Sequence, residues 1–87
     1  MYVIMVYDIG VERVTKVLKI GRRYLTWIQN SVFEGEITEA NLIRLKSQLT
    51  KVIDLEKDSI IFYILRTTSY TRKETLGRIK GEPTQIL

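Results

Sequence analysis

The sequence predicts an α+β fold in which two helices cover one face of a four-stranded antiparallel sheet. Two apolar runs, at residues 1–7 and 60–65, have the length and composition of buried strands. Apolar side chains recur at helical spacing over residues 11–25 and again over residues 38–53. Between the two helical patterns lie two short segments of strand composition. The resulting order of strand, helix, strand, strand, helix and strand is that of the ferredoxin-like fold.

The first predicted strand ends at a lone carboxylate. Residues 1–7 are all apolar, which is typical of a strand buried on both faces. Asp8 and the turn pair Ile9-Gly10 follow, and the first helical pattern begins at Val11. A carboxylate at the end of a fixed strand, beside the first turn of a helix, is positioned well enough to bind a metal ion or to orient water. Asp8 is therefore the first candidate for a functional residue.

The middle of the chain predicts a hairpin and a second helix. Residues 25–28 and 32–37 have strand composition, and Gln29-Asn30-Ser31 between them supplies the polar turn of a short hairpin or a bulged bend. Thr38 is a good helix N-cap, after which leucines recur at helical spacing. A turn at residues 54–58 separates this helix from the last strand.

We expect residues 1–66 to form one ferredoxin-like domain and residues 67–87 to form a C-terminal tail. The end of the tail, residues 83–87, turns apolar again and could add a fifth strand at the edge of the sheet. The two helices cover only one face of the predicted sheet, although its first and last strands are apolar on both faces. Burying the second face against another copy stabilises by about 25 cal/mol per Å² removed from water. We therefore expect a homodimer, with the tail docked on the partner protomer.

The composition limits the chemistry that the chain can perform. It contains no cysteine and no histidine, which excludes disulfides, thiolate catalysis and the usual neutral general base. Only oxygen ligands remain, and these favour hard cations such as Mg²⁺ or Mn²⁺. The apolar run at residues 1–7 is too short to cross a bilayer and has no charged leader, so we expect a cytoplasmic protein without a membrane partner.

The net charge of +4 favours an anionic partner, and the basic residues are concentrated in two segments. One is residues 66–82 and the other is the first helical pattern, whose polar side could contact phosphates without reading sequence. The alternative is that these charges form an ordinary solvated face. The five candidate nucleic-acid-binding residues of this pattern are Arg13, Lys16, Lys19, Arg22 and Arg23.

Three stretches resemble a known family. Residues 1–9 (MYVIMVYDI), 27–38 (WIQNSVFEGEIT) and 58–63 (DSIIFY) are similar to the small CRISPR-associated endoribonuclease family, whose members are also the non-integrase subunit of the spacer-acquisition complex. The similarity covers residues 1 to about 66, and the stretch QNSVFEG is its most specific part.

The resemblance implies a homodimer in which one Asp8 from each chain faces the other across a two-fold axis and both share one Mg²⁺ or Mn²⁺ ion. It implies metal-assisted cleavage of phosphodiester bonds in single-stranded RNA or double-stranded DNA. It also places Ser31 and Phe33 near the site, where a hydroxyl could contact phosphate and a ring could stack on a base. Tyr7 is a further candidate because of its position next to Asp8, where its hydroxyl could donate to a phosphate oxygen. The alternatives are that Asp8 caps the first helix, that Ser31 is a turn residue, and that both aromatic rings only pack.

Three classes of function follow from these observations. The first is a metal-dependent endonuclease of prokaryotic antiviral defence that also serves spacer acquisition. The second is a non-catalytic, DNA-binding dimeric adaptor that bridges CRISPR integrase subunits, with Asp8 in a structural role. The third is an unrelated ferredoxin-like module such as an RNA-recognition domain or a ligand sensor. We disfavour the third class, because the third strand lacks the aromatic cluster of an RNA-recognition sheet and no glycine-rich loop offers a phosphate cradle.

Overall fold

The computed structural model describes residues 1–66 and Glu74. Its elements are, in chain order, β1 (Tyr2–Asp8), α1 (Val11–Gly21), β2 (Thr26–Gln29), β3 (Val32–Glu36), α2 (Glu39–Thr50) and β4 (Ser59–Leu65). Two helices and four antiparallel strands confirm the predicted fold class. Within this part of the chain, neither helix is long and apolar enough to span a membrane. The fifth strand predicted at residues 83–87 lies outside the described residues, as does the rest of the tail apart from Glu74.

β1 lies in the interior of the sheet. The strand order is β2-β3-β1-β4, and every neighbouring pair is antiparallel. β1 pairs with β4 along its whole length, from Tyr2 opposite Leu65 to Asp8 opposite Ser59. β2 and β3 form the predicted hairpin, with an irregular register in β2. The end of β1, the turn of this hairpin and the start of β4 therefore lie at the same end of the sheet.

Both helices pack on one face of the sheet and enclose a single core. Val3 and Met5 of β1 and Phe33 of β3 are fully buried, together with Val17 of α1 and Leu45 of α2. These side chains come from four different elements, so the core connects all the strands and helices around β1. β1 is therefore held by this core and by the strands paired with it on both sides.

Local contacts decide where the helices begin and end. The Thr38 hydroxyl accepts a hydrogen bond from the Asn41 N–H at 3.1 Å, which confirms the predicted cap of α2. α1 ends at Gly21 rather than at residue 25, because the chain turns there and the Leu25 N–H donates to the Gly21 carbonyl at 2.8 Å. A Cβ atom at Gly21 would lie 2.7 Å from the Phe33 ring, so only glycine allows α1 to approach β3 this closely.

In the single chain, β1 is fully buried on the face that carries the helices and half-buried on the other. Buried and half-buried side chains alternate along the strand, because only one face of the sheet carries helices. On the other face, Ile61 and Tyr63 of β4 are 50% and 55% exposed. We call this helix-free surface the open face. Its members on the three strands β1, β3 and β4 are Tyr2, Ile4, Val6, Asp8, Val32, Glu34, Glu36, Ser59, Ile61, Tyr63 and Leu65.

Candidate functional site

Asp8 is the last residue of β1 and is exposed. The alternation along the strand places it on the open face, in line with Val6 and Ile4. Within the part of the chain that the structure describes, its carboxylate forms no hydrogen bond and no ion pair. A charged group on a rigid strand end with no partner in its own chain is available to a ligand or to another subunit.

The helix-capping alternative for Asp8 is wrong, because the structure gives that role to Asp58. The N-cap residue of α1 is Gly10, which has no side chain to accept a hydrogen bond from the first turn of the helix. The Gly10 N–H instead donates to Asp58 Oδ1 at 2.9 Å. A carboxylate at the positive end of a helix is stabilising whether it comes from the preceding residue or from a distant one. Asp8 therefore does not have the helix-capping role that an acid before a helix commonly has.

Asp58 is a buried carboxylate with four donors. Its side chain is 0% exposed, and Arg13 binds it in a bidentate manner, with Nε at 2.6 Å from Oδ2 and Nη2 at 2.8 Å from Oδ1. The N–H groups of Gly10 and Asp54 complete the set at 2.9 and 2.8 Å. The hydrogen bonds from Arg13 hold the pKa of Asp58 well below its ordinary value, although burial alone would raise it. The same hydrogen bonds raise the pKa of the Arg13 guanidinium.

The sequence interpretation missed Asp58, which it treated as the end of a turn. The signal available was its position directly before the apolar run of β4, where an acid must either point outward or find a buried partner. Ser59 was missed as well. It is opposite Asp8 in the last step of the β1–β4 ladder and adds a hydroxyl at the same end of the sheet.

Ser31 lies beside the end of β1, and its role at the site remains a prediction. It is the turn residue between β2 and β3 and has a left-handed φ of 69°. Its carbonyl accepts a hydrogen bond from the Tyr7 N–H at 3.0 Å, which fixes it beside the last two residues of β1. The structure therefore brings Asp8, Ser31 and Ser59 to one end of the sheet, with Asp8 between the two serines.

Tyr7 and Phe33 lie on the opposite face from Asp8. Tyr7 is 6% exposed, Phe33 is fully buried, and their ring centroids are 5.8 Å apart. Both rings belong to the core beneath the helices, where they pack β1 and β3 together. Their direct contact with a substrate remains a prediction, and the contacts seen here are those of packing residues.

The five basic residues predicted on the first helix divide into engaged and exposed groups, and two of them, Arg22 and Arg23, follow the end of α1 at Gly21. Arg13 is held by Asp58 and by exposed Glu12 at 2.6 Å, and the Arg22 guanidinium stacks 5.5 Å from the Trp27 ring centroid. Arg23 donates to Gln48 at 3.2 Å across the helix pair. A groove of about 310 Å³ runs between α1 and α2 and contains four cationic side chains. We call it the basic groove, and its lining is Lys16, Lys19, Ile20, Arg23, Gln48, Lys51 and Val52.

The opposite end of the open face carries a different carboxylate. The Tyr2 hydroxyl donates to Glu34 Oε2 at 2.6 Å, across neighbouring strands. Burial raises the pKa of Tyr2 above its ordinary value, and the hydrogen bond to Glu34 raises it further. Glu34 is therefore engaged, in contrast to Asp8 at the far end of the same strand pair.

The donor set of one chain does not complete a metal site. Among the described residues, no group of three or more carboxylate, histidine or cysteine side chains could hold an ion. Asp8 offers a single carboxylate. Mg²⁺ keeps several of its waters and needs one or two protein carboxylates, so two copies of Asp8 fit its requirements while one chain alone fits them poorly.

Comparison with known proteins identifies relatives along the whole chain. The family model for CRISPR associated protein Cas2 matches residues 1–73. A protein named CRISPR-associated endoribonuclease Cas2 from Dictyoglomus turgidum is 55% identical over 87 residues, covering 100% of both chains. One of the same name from Pyrococcus furiosus is 52% identical, again over 87 residues and 100% of both chains.

Solved structures show the same similarity. A crystal structure titled cas2 superimposes with a TM-score of 0.83 at 42% identity, covering 100% of this chain and 98% of the other. The crystal structure of Streptococcus pyogenes Cas2 at pH 6.5 gives a TM-score of 0.77 at 40% identity, covering 88% of this chain and 100% of the other. The likeness therefore extends over both sequence and fold.

Proposed function

Since the chain belongs to the CRISPR-associated Cas2 family, we propose that it is a divalent-metal-dependent endoribonuclease of prokaryotic antiviral defence. In this proposal the active species is a homodimer, in which two copies of Asp8 share one Mg²⁺ or Mn²⁺ ion. The observation that carries it is Asp8, which is exposed at the end of β1 and has no hydrogen-bond or ion-pair partner among the described residues. Family membership removes the third class, an unrelated ferredoxin-like module.

The open face supports the dimer. Its central positions are apolar, and Ile61 and Tyr63 are half exposed in the single chain. An apolar sheet face of this kind gains stability when a second copy covers it, at about 25 cal/mol per Å². Asp8 lies on the same face, two residues beyond Val6 along β1. An interface centred on Val6 and Ile61 would bring the two Asp8 side chains toward a common axis.

Each residue at this end has a defined task in the proposed reaction. Asp8 would hold the cation, and the cation would supply an activated water and offset charge on the phosphate. The Ser31 hydroxyl contacts a phosphate oxygen of the substrate from the hairpin turn. Tyr7 and Phe33 hold β1 and β3 together through their ring contact, which fixes the distance between Asp8 and Ser31.

Replacing Asp8 by Asn tests the nuclease. Asp8→Asn removes the negative charge with the least change in shape, so cleavage of single-stranded RNA should fall at least about 100-fold while the dimer persists. Glu56→Gln, which removes an equal charge at an exposed position, is the matched control. Chelation of divalent cations should reproduce the loss in the unmodified protein. Full cleavage by Asp8→Asn, or full cleavage in chelator, would exclude the proposed metal site.

The basic groove supports the second candidate, a DNA-binding adaptor between integrase subunits. Its four cations include Lys16 and Lys19, which are exposed on α1 and form no ion pair with an acid among residues 1–66. The double change Lys16→Gln and Lys19→Gln should weaken duplex binding and lower the salt slope by roughly 2, whereas Lys57→Gln outside the groove should change neither. If Asp8→Asn abolishes cleavage but retains spacer acquisition, the adaptor role is the primary one.

A further inference from the structure

We propose that Asp58 is a positioning residue for Asp8. Its buried carboxylate, held by Arg13, fixes the turn after β1 and thereby sets the direction in which the Asp8 side chain points. This inference rests on the proposed function, because it takes Asp8 as the metal ligand. It adds a second carboxylate to the site, one that touches neither metal nor substrate.

The turn between β1 and α1 is tied at both ends to the same short segment. Asp8 is the last residue of β1 in the ladder and lies opposite Ser59. Gly10, two residues later, donates its N–H to the side chain of Asp58 at 2.9 Å. Only Ile9 lies between the two attachments. Consecutive residues at the start of β4 thus hold both ends of a three-residue stretch, and little backbone freedom remains at Asp8.

The charge state and shape of Asp58 are both needed for this arrangement. Two donors reach each oxygen: Gly10 N–H and Arg13 Nη2 at Oδ1, Asp54 N–H and Arg13 Nε at Oδ2. An asparagine has one accepting oxygen, so its NH₂ group would face two of these donors. The side chain is 0% exposed, and water therefore cannot take over the lost contacts. Asp58→Asn should break the attachment of Gly10 or of Arg13.

Arg13 provides a matched comparison between a buried and an exposed acid. Its guanidinium contacts buried Asp58 on one side and exposed Glu12 on the other, with a shortest distance of 2.6 Å to each. Of these two acids, only Asp58 also accepts a hydrogen bond from the Gly10 N–H. Removing the Glu12 charge leaves the bidentate pair in place, so Glu12→Gln should leave the turn and Asp8 unchanged.

The experiment measures Mn²⁺ binding by the whole chain as a homodimer. The paramagnetic signal of the free ion reports how much Mn²⁺ is bound. The temperature is kept well below the melting temperature of every variant. Asp58→Asn should weaken Mn²⁺ binding about 10-fold or more, as loss of a group that orients a metal ligand typically does. Glu12→Gln should bind as the unmodified chain does. Leu45→Ala, a core change in α2 that destabilises without touching the turn, should also bind normally, which separates positioning from stability.

Amide hydrogen exchange gives a second measurement that needs no metal. The Gly10 N–H should lose protection in Asp58→Asn and keep it in Glu12→Gln and Leu45→Ala. If Asp58→Asn does not fold, Arg13→Lys replaces it, since lysine keeps the charge but cannot form the bidentate pair. Arg13→Lys should weaken Mn²⁺ binding and reduce the protection of the Gly10 N–H, but by less than Asp58→Asn does.

The outcomes separate this inference from the proposed function. If the unmodified chain and Asp8→Asn bind Mn²⁺ equally, the proposed function fails and the inference fails with it. If Asp8→Asn loses Mn²⁺ binding while Asp58→Asn and Arg13→Lys bind normally, only the inference is overturned. If Asp58→Asn and Leu45→Ala lose binding to the same extent, the effect is one of stability and Asp58 does not position Asp8.

Discussion

Asp8 and Asp58 lie at the same end of the same strand pair, but their surroundings are opposite. Asp8 is exposed and forms no contact with the described chain, whereas the Asp58 side chain is 0% exposed and accepts four hydrogen bonds. A carboxylate with every lone pair engaged holds the fold, and one with none engaged within its own chain is free to bind. The comparison teaches that residue type says little about role until its partners are known.

The largest expected effect comes from a substitution that introduces a charge into the open face, on which Asp8 lies. Ile61→Asp places a carboxylate in the centre of the open face, so the proposed homodimer should dissociate about 100-fold more readily, since an unpaired charge is costly to bury. Ile43→Asp is the matched control, because Ile43 is 63% exposed on α2, away from the open face. Analytical ultracentrifugation measures both. Equal dimerisation of the two variants would show that Asp8 does not lie beside the subunit interface.

The next effect is the difference in melting temperature between variants of the two carboxylates. Asp58→Asn should lower the melting temperature on the order of 10 °C, because it leaves buried donors and the Arg13 charge without a full partner. Asp8→Asn should shift it by less than about 2 °C, as is usual for an exposed residue without contacts. Differential scanning calorimetry on the two variants provides the measurement. Similar losses for both would remove the distinction between a structural and a free carboxylate.

The sequence predicts the order of elements well because that order depends on local patterns. The apolar runs, the helical spacing and the hairpin turn all appear in the structure, and Thr38 caps α2 as its residue type suggests. The errors arise where a position depends on distant contacts. α1 stops at Gly21 because the chain must turn to enter β2, and the pattern beyond it belongs to residues that pack without being helical.

The candidate site shows the same limit. Asp8 could be singled out because its place between a strand and a helix is visible in the sequence. The role of Asp58 could not, because its donors at Gly10 and Arg13 lie 48 and 45 residues away. For the same reason Arg13 was grouped with the basic residues of α1. A charge pattern along one helix does not show which cation is bound to an acid from another part of the chain.

A smaller effect is expected in acid. The folded pKa of Asp58 is depressed by Arg13, so the stability that it contributes is present above the unfolded value near 4 and is lost as the pH falls through the folded pKa. The urea concentration at the unfolding midpoint should therefore decrease when the pH is lowered below about 4. The difference in this midpoint between the unmodified chain and Asp58→Asn should become smaller in the same pH range. A constant difference from pH 7 to pH 2 would contradict the ion pair as the source of the stability.

The smallest effect concerns Glu34, a carboxylate between the two extremes because it accepts from Tyr2 on a partly covered face. The pKa of Tyr2 is raised, first by burial and then by Glu34, so its contribution to stability is complete below pH 10 and is lost as the pH rises further. Tyr2→Phe should cost less than about 1 kcal/mol at pH 7. It should also remove part of the alkaline loss of stability, as measured by urea unfolding between pH 8 and pH 11. If the variant loses stability in alkali as steeply as the unmodified chain, the folded protein does not raise the pKa of Tyr2, and the hydrogen bond to Glu34 adds nothing to stability in alkali.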